Sequence, residues 1–177
     1  MGVSVERLDA YKGADLADLC QATDDAINDG IGFNWVTPPV REQLEGYWKG
    51  VMVVPERILL VARLDGTICG SIQLVKPSKS KETSAFAVDI EAHFVAPWAR
   101  GHGLAKDLLV HAEREAAKEG FSVLRLSVRN TQERALQIYR ESHYTEWGTL
   151  PYYEFVNGNM VAGHFFYKRL EQLTDLI

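Results

Sequence analysis

The chain has 177 residues, of which 46% are hydrophobic and 24% charged, and its formal net charge is −5. These values are typical of a soluble globular protein and count against a nucleic-acid-binding surface, and the length fits one domain spanning residues 1–177. We expect a cytoplasmic location and no membrane span, because the N-terminus carries no signal segment and no apolar run approaches the roughly 20 residues that cross a bilayer.

The cysteines and histidines give no sign of a disulfide framework or a metal site. Only Cys20 and Cys69 are present, and the five histidines are scattered along the chain without metal-ligand spacing. We therefore expect no metal cofactor.

Apolar periodicity and turn residues predict the elements of the first half of the chain. They are a short strand at 4–8, helices at 14–28 and after Pro38-Pro39, and strands at 57–64 and 67–75. The last two strands flank Asp65-Gly66, which is a two-residue hairpin signal. The segment between the helices, GIGFNWVTPP, is predicted to be a loop that exposes Phe33 and Trp35 to some neighbour.

A strand, a glycine-containing turn and a helix follow one another in the middle of the chain. Apolar residues between 86 and 95 alternate with Asp89, Glu91 and His93, which predicts a strand with one polar face. The turn Arg100-Gly101-His102-Gly103-Leu104-Ala105 leads directly into residues with apolar groups at helical spacing. A helix start after such a turn gathers unpaired backbone amides, and these favour phosphate.

Three interpretations of this turn compete. An ordinary strand–helix connection needs glycine only for its backbone conformation. A nucleotide-binding turn of the dinucleotide type needs a third glycine where Lys106 stands, and a P-loop needs a Gly-Lys-Ser/Thr ending that the turn lacks. The third interpretation is a family resemblance, for which the second half of the chain supplies further evidence.

The second half is predicted to contain a strand, a helix and two further strands. The strand runs over 121–128, and the helix over 130–141 has Asn130 as its cap and Glu133 as the capping-box partner. Strands follow at 143–148 and at 152–170, the latter folded by Asn157-Gly158. The hairpins indicate a mixed α/β fold with a partly antiparallel sheet.

Two motifs resemble those of the GNAT superfamily of acetyl-CoA-dependent N-acetyltransferases. The segment Val95-x-Pro97-x-x-Arg100-Gly101-x-Gly103-x-Ala105 resembles its pyrophosphate-binding signature, Arg/Gln-x-x-Gly-x-Gly/Ala. The segment Leu126-x-Val128-x-x-x-Gln132-x-x-Ala135-x-x-Ile138-Tyr139 resembles its L-x-V-x-x-x-N-x-x-A-x-x-L-Y pattern. The resemblance implies an α/β fold with a mixed, mostly antiparallel central sheet flanked by helices, in which the fourth and fifth strands splay apart and admit acetyl-CoA.

The resemblance also implies a cofactor site. The backbone amides of the turn would hold the pyrophosphate, and the residues concerned are Arg100, Gly101, His102, Gly103, Leu104 and Ala105. Main-chain groups of Phe94 and Val95 would pair with the pantetheine arm as an added strand does. The guanidinium of Arg100 would either add a contact to phosphate or stay in solvent. The family's asparagine position holds Gln132, while Asn130 lies two residues earlier, so either one is a candidate for the pantetheine arm.

Attack of a neutral amine on a thioester needs a base for the ammonium proton and an acid for the leaving thiolate. Tyr139 matches the family's tyrosine acid, against the alternative of an aromatic ring used only for packing. Glu91 is the candidate base, with Asp89, His93 or a water chain as alternatives, and all three side chains would equally suit a hydrophilic strand face.

The function implied is an N-acetyltransferase that moves acetyl from acetyl-CoA to a primary amine of a small molecule or peptide by direct attack in a ternary complex. The alternative is a non-catalytic acyl-CoA-binding sensor or subunit with the same fold. Phe33, Trp35 and Tyr152 are the candidate acceptor contacts. Aromatic walls suit a partly apolar or cationic amine, and they equally suit a homodimer interface.

Overall fold

The computed structural model of the chain describes residues 2–171, which form four helices of more than one turn and seven strands. In chain order the elements are β1 (Val3–Arg7), α1 (Asp15–Asn28), α2 (Arg41–Val53), β2 (Arg57–Leu64), β3 (Thr67–Val75), β4 (Ala87–Val95), α3 (Leu104–Lys118), β5 (Val123–Arg129), α4 (Glu133–Glu141), β6 (Thr145–Val156) and β7 (Asn159–Arg169).

The strands form one mixed sheet in the order β1-β2-β3-β4-β5-β7-β6. The β1–β2, β2–β3, β5–β7 and β6–β7 ladders are antiparallel, whereas β4 and β5 pair in parallel from Ala87 with Val123 to Asp89 with Arg125. The sheet and its helices confirm the predicted mixed, mostly antiparallel α/β fold.

The contacts divide the chain into two compact units. The first unit comprises residues 2–75 and 91–112, and the second comprises residues 76–90 and 113–171. The prediction of a single domain stays a prediction. No helix within residues 2–171 is long and apolar enough to cross a membrane, and no cluster of three or more potential metal-ligand side chains occurs in that part of the chain.

In the first unit the predicted hairpin is confirmed to the residue. The strands β2 and β3 turn at Asp65 and Gly66, whose φ angles of 49° and 85° are the left-handed values that a two-residue hairpin turn requires. A core of buried apolar side chains from α1, α2 and the strands covers one face. Thr23, the polar residue in the apolar stripe of α1, is buried there, and its hydroxyl both donates and accepts a hydrogen bond. It donates to the carbonyl of Leu19 at 2.7 Å and accepts from the indole of Trp48 at 3.0 Å.

In the second unit two predicted boundaries are wrong. The helix α4 begins at Glu133 rather than at residue 130, and Asn130 does not cap it. A single strand, β6, runs from Thr145 to Val156 where the sequence predicts a break, and its register shifts between Leu150 and Glu154. This strand lies at the edge of the sheet. Pro151 has no amide hydrogen, and an edge strand tolerates it because no second neighbouring strand needs a hydrogen bond from that position.

Candidate functional site

The strand β4 contains a bulge at Ala92, whose φ angle is 47°. The hydroxyl of Ser71 on β3 donates to the carbonyl oxygen of Ala92 at 2.9 Å, and the amide of Ala96 donates to the carbonyl of Cys69 at 2.7 Å. A side chain on Gly70 would collide with the carbonyl oxygen of Phe94. The main-chain groups of residues 92, 94 and 96 therefore face β3.

This geometry bears on Phe94 and Val95 as candidate cofactor contacts. Consecutive residues of a strand direct their main-chain groups to opposite edges. The carbonyl of Phe94 faces β3, and the contact of Phe94 and Val95 with the pantetheine arm stays a prediction. The residues that alternate with Phe94 are His93 and Val95, and the sequence motif gave no sign of His93.

The bulge also separates Glu91 from His93, which the sequence predicts on one strand face. Glu91 accepts from Nη1 of Arg57 at 2.8 Å, and the same nitrogen donates to Gln73 at 2.7 Å. The amide of Gln73 in turn donates to the hydroxyl of Tyr47 at 3.0 Å, so that Glu91 belongs to a network reaching α2. His93 instead contacts α3. A positive φ at one residue interrupts the two-residue alternation, and this is why the prediction fails.

The imidazole of His93 is buried against the first turn of α3. Its Nε2 lies 2.7 Å from the carbonyl oxygen of Ala105. Since a carbonyl only accepts hydrogen bonds, Nε2 carries the proton and donates. Burial lowers the pKa of His93 to about 4, although the bond to Ala105 acts in the opposite direction. His93 is therefore neutral at physiological pH.

Asp89, the remaining acid of the strand, lies in the second unit. Its carboxylate accepts from Nε of Arg125 on β5 at 3.1 Å, and both side chains are about half exposed. An exposed ion pair of this kind contributes little to stability.

The glycine turn leads into α3 as the sequence predicts. Gly101 and Gly103 have φ angles of 86° and 71°, which other residues rarely adopt, and the helix begins at Leu104. Its first amides have no partner inside the helix by the geometry of helix starts. His102 is partly exposed within this turn, and Ala105 is the second residue of the helix.

Two side chains fix the start of this turn to α1. The indole of Trp98 donates to Asp25 at 2.9 Å, and the guanidinium of Arg100 forms an ion pair with Asp29. The two acids are four residues apart and thus lie on the same side of the helix. Neither sequence alternative for Arg100, a phosphate contact or a solvated side chain, describes this pairing.

The loop between α1 and α2 holds one buried and one half-buried aromatic side chain. Phe33 is only 7% exposed and packs edge-to-face on Phe94, with ring centroids 5.0 Å apart, so the neighbour that it meets is the strand β4. Trp35 stacks on Phe33 at 6.2 Å and meets Tyr47 edge-on at 5.1 Å. Trp35 and Tyr47 are thus the aromatic residues of this region that retain exposed surface.

Tyr139 lies on the buried face of α4 in the second unit. Its ring packs near Tyr144 and Phe166, with centroid distances of 5.7 and 6.1 Å. Burial raises the pKa of the Tyr139 phenol, which is 5% exposed, so it keeps its proton at physiological pH. A protonated phenol is the form that an acid catalyst requires.

Asn130, at the end of β5, takes part in a chain of polar side chains. Its Oδ1 lies 2.7 Å from Nε2 of His164, whose Nδ1 contacts Glu146. This contact lowers the pKa of Glu146. Gln132 directly precedes α4, and its carbonyl accepts the amide of Leu136 at 3.0 Å. His164 reaches Asn130 across the sheet from β7, a relationship that no local pattern in the sequence signals.

The β6 segment around the register shift folds onto β5 through Tyr153 and Glu154. The hydroxyls of Tyr153 and Ser127 lie 2.6 Å apart, and Glu154 pairs with Arg129 at 3.2 Å. The neighbouring Tyr152 is 74% exposed, as an acceptor contact would be. The acceptor roles of Tyr152 and Phe33 stay predictions.

Comparisons with known proteins agree on one family. The sequence model of the "Acetyltransferase (GNAT) family" matches residues 20–144. An uncharacterized N-acetyltransferase in the hisH–hisA intergenic region of Azospirillum brasilense is 60% identical over 132 residues, which cover 75% of this chain and 79% of that protein.

Two solved structures show the same fold. An N-acetyltransferase from Staphylococcus aureus Mu50 superposes with a TM-score of 0.81 at 16% identity, covering 97% of this chain and 100% of that one. A GNAT superfamily phosphinothricin acetyltransferase from Sinorhizobium meliloti, solved in complex with acetyl-CoA, superposes with a TM-score of 0.79 at 18% identity, covering 98% and 92%.

Proposed function

The chain belongs to the GNAT family of acetyltransferases and is an acyltransferase, and from that premise we propose that it moves the acetyl group of acetyl-CoA to a primary amine of a small molecule or peptide. The observation that carries the proposal is the glycine turn at the start of α3, directly after the bulged strand β4. The acetyl-CoA complex of the Sinorhizobium meliloti relative supports the choice of cosubstrate.

The backbone amides from Arg100 to Ala105 bind the diphosphate of the cofactor in this proposal. Gly101 and Gly103 have positive φ angles, which glycine adopts readily. Neither residue has a side chain, so phosphate oxygens can approach the amides. The dipole of α3 adds a favourable field for negative charge. Arg100 is committed to Asp29, so binding here depends on the main chain.

The pantetheine arm pairs with the edge of β4 that faces away from β3. Val95 offers main-chain groups there, Phe94 stays a further candidate from the family pattern, and the arm carries two amides that can pair with a strand. The amide of Asn130 is the second candidate contact. Its Oδ1 lies 2.7 Å from Nε2 of His164, which holds the side chain at the end of β5. Gln132 keeps its candidacy from the family pattern.

Acetyl transfer then proceeds by direct attack in a ternary complex. The amine nitrogen attacks the thioester carbonyl, the C–S bond breaks, and coenzyme A leaves as a thiolate. Both cysteines are fully buried, and burial raises the pKa of each thiol to about 11, which makes either a poor nucleophile for a covalent intermediate. This supports the direct route.

Glu91 serves as the base that accepts the proton of the ammonium, either directly or through water. Its side chain is 49% exposed, so water and an amine can reach the carboxylate while Arg57 holds it in place. Tyr139 serves as the acid that gives its proton to the thiolate. Its match to the tyrosine of the family pattern supports this role.

The acceptor contacts are Trp35 with Tyr47 in the first unit and Tyr152 in the second. The rings of Trp35 and Tyr47 meet edge-on next to the network that ends in Glu91. Aromatic faces together with a carboxylate favour a cationic amine, which must lose its proton before it attacks.

The same hairpin that carries Tyr152 exposes further large apolar side chains. They are Trp147, Leu150, Phe155, Met160 and Tyr167. Two uses fit such a surface: contact with a bulky acceptor or with a second copy of the chain. Light scattering on the purified protein, with and without Trp147→Glu, distinguishes them because only the dimer changes its mass.

One assay tests the proposed function. Release of free thiol from acetyl-CoA is measured over a panel of primary amines and peptides, and binding of acetyl-CoA is measured by calorimetry in parallel. The proposal expects binding and amine-dependent thiol release. Binding without turnover over the whole panel would favour the acyl-CoA sensor, and absence of binding would contradict both functions.

A further inference from the structure

A single side chain joins the cofactor edge of β4 to the phosphate-binding turn. His93 donates its Nε2 proton to the carbonyl oxygen of Ala105 at 2.7 Å, and the imidazole is buried. Ala105 is the second residue of α3 and the last residue of the turn proposed to hold the diphosphate. The bond therefore spans the two parts of the cofactor surface that belong to the first unit.

His93 also lies close along the chain to the other part of that surface. The carbonyls of Ala92 and Phe94 and the amide of Ala96 face β3, and His93 and Val95 are the residues that alternate with them. His93, two residues before Val95, thus holds the end of the turn with its side chain.

The turn needs such an anchor because its two glycines add backbone freedom. Trp98 and Arg100 fix its start to α1, while Gly101 and Gly103 have open space where a side chain would be. Glycine adds backbone freedom, and an amide cluster binds phosphate well only when it is held in place before the ligand arrives. The bond from His93 supplies the second fixed point.

We infer that His93 is a positioning residue that holds the first turn of α3 against the bulged strand and so sets the geometry of the amides that bind the diphosphate of coenzyme A. The inference rests on the proposed function. It assigns His93 no proton transfer, because its Nε2 proton is committed to Ala105 and no step of acetyl transfer uses it.

The experiment compares two variants of the full chain with the wild type. His93→Gln keeps an NH₂ donor near the position of Nε2, whereas His93→Leu keeps similar volume without a donor. The dissociation constant of coenzyme A is measured by calorimetry, KM for acetyl-CoA and kcat by thiol release, and folding by thermal melting. His111→Leu is the matched control, because His111 also contacts a carbonyl of α3, that of Asp107 at 2.8 Å, within the same helix.

We expect His93→Leu to raise the dissociation constant of coenzyme A and KM about tenfold with kcat within twofold of wild type. His93→Gln should restore affinity to within about threefold, and His111→Leu should bind normally. Should His93→Leu fail to fold, His93→Asn, whose amide is too short to reach Ala105, takes its place.

Normal affinity in His93→Leu, or in His93→Asn where it replaces that variant, would overturn the inference. A large fall in kcat at unchanged KM in His93→Gln and His93→Leu alike would also overturn it, because that result would indicate a catalytic base. Failure of the wild type to bind coenzyme A would contradict the proposed function instead, so the two failures are distinguishable.

Discussion

Arg57 Nη1 lies 2.8 Å from Glu91 Oε2 and 2.7 Å from Gln73 Oε1, so one nitrogen joins the candidate base to a buried amide. Gln73 is fully buried, and Arg57 is therefore held at its inner end while Glu91 reaches solvent. The pairing fixes the direction of the carboxylate without burying it, which suits a group that must exchange protons.

Glu91→Gln should lower kcat on the order of 10²-fold, because the amide cannot accept the ammonium proton. The loss should grow as pH falls, since more of the acceptor amine is then protonated and needs a base. Steady-state rates between pH 6 and about 10 check this, with Asp89→Asn as the control acid on the same strand. A pH-dependent loss in Asp89→Asn with normal rates in Glu91→Gln would show that the base is wrongly assigned.

Gly103→Val should abolish measurable binding of acetyl-CoA while the protein stays folded. The branched side chain is strained at φ 71° and turns the amides away from phosphate. Gly13→Val is the matched control, because Gly13 has a φ of 56° and similar open space far along the chain from this turn. Calorimetry with circular dichroism measures both variants, and unchanged affinity in Gly103→Val would remove the diphosphate assignment.

Tyr139→Phe should lower the single-turnover rate on the order of 10²-fold, with acetyl-CoA affinity and Tm nearly unchanged, because only the proton donor is lost. Single-turnover rates are used so that slow product release cannot mask the effect. The matched control is Tyr144→Phe, whose lost hydroxyl donates to Glu113 at 2.9 Å. That variant should lose about 1 kcal/mol of stability and keep its rate. A single-turnover rate equal to that of the wild type in Tyr139→Phe would contradict the acid role and show that the ring serves only in packing.

Lowering the pH should destabilise the first unit, because Asp15 becomes protonated. Arg63 hydrogen-bonds to this carboxylate at 2.8 and 3.1 Å and holds its pKa below the usual range. A depressed pKa in the folded state stabilises the protein above the pKa of the unfolded chain, about 3.9, and this contribution is lost as pH falls further. Asp15→Asn should lower the free energy of unfolding by about 2 kcal/mol at pH 7. It should also make the free energy of unfolding less dependent on pH in the acid range.

The control for that prediction is Glu6→Gln, which removes the second and half-exposed partner of Arg63. Its cost should be below about 1 kcal/mol. Urea unfolding at several pH values measures the stability of both variants. An equal loss of stability in acid for the wild type and Asp15→Asn would contradict the assignment of this pH dependence to Asp15.

Local signals predict the parts of the fold that local chemistry decides. Asp65-Gly66 sets the hairpin because both residues accept positive φ at low cost, and the bounds of β2 and β3 follow from it. The bulge at Ala92 has no such signal, since alanine rarely adopts positive φ. Contacts from Gly70 and Ser71, which lie about 20 residues away, impose it.

The candidate site shows the same limit. Asn130 follows the capping rule in sequence, but its side chain bonds His164 across the sheet, and the helix begins later. The motif that contains Gly101 and Gly103 depends only on residues adjacent in the sequence, so the turn is predicted correctly. The directions of Glu91 and His93 depend on a long-range bulge, and the sequence places them wrongly on one face.

The two contacts of α1 with the turn, Trp98 to Asp25 and Arg100 to Asp29, bear on the order in which the substrates bind. Asp29 ends α1 just before the loop that carries Trp35, so the phosphate-binding turn and the acceptor loop share an attachment. In the proposed function, a diphosphate bound in the turn would hold the end of that loop before an amine binds. We therefore expect a compulsory-order mechanism, with acetyl-CoA first and coenzyme A released last, in which coenzyme A inhibits competitively against acetyl-CoA.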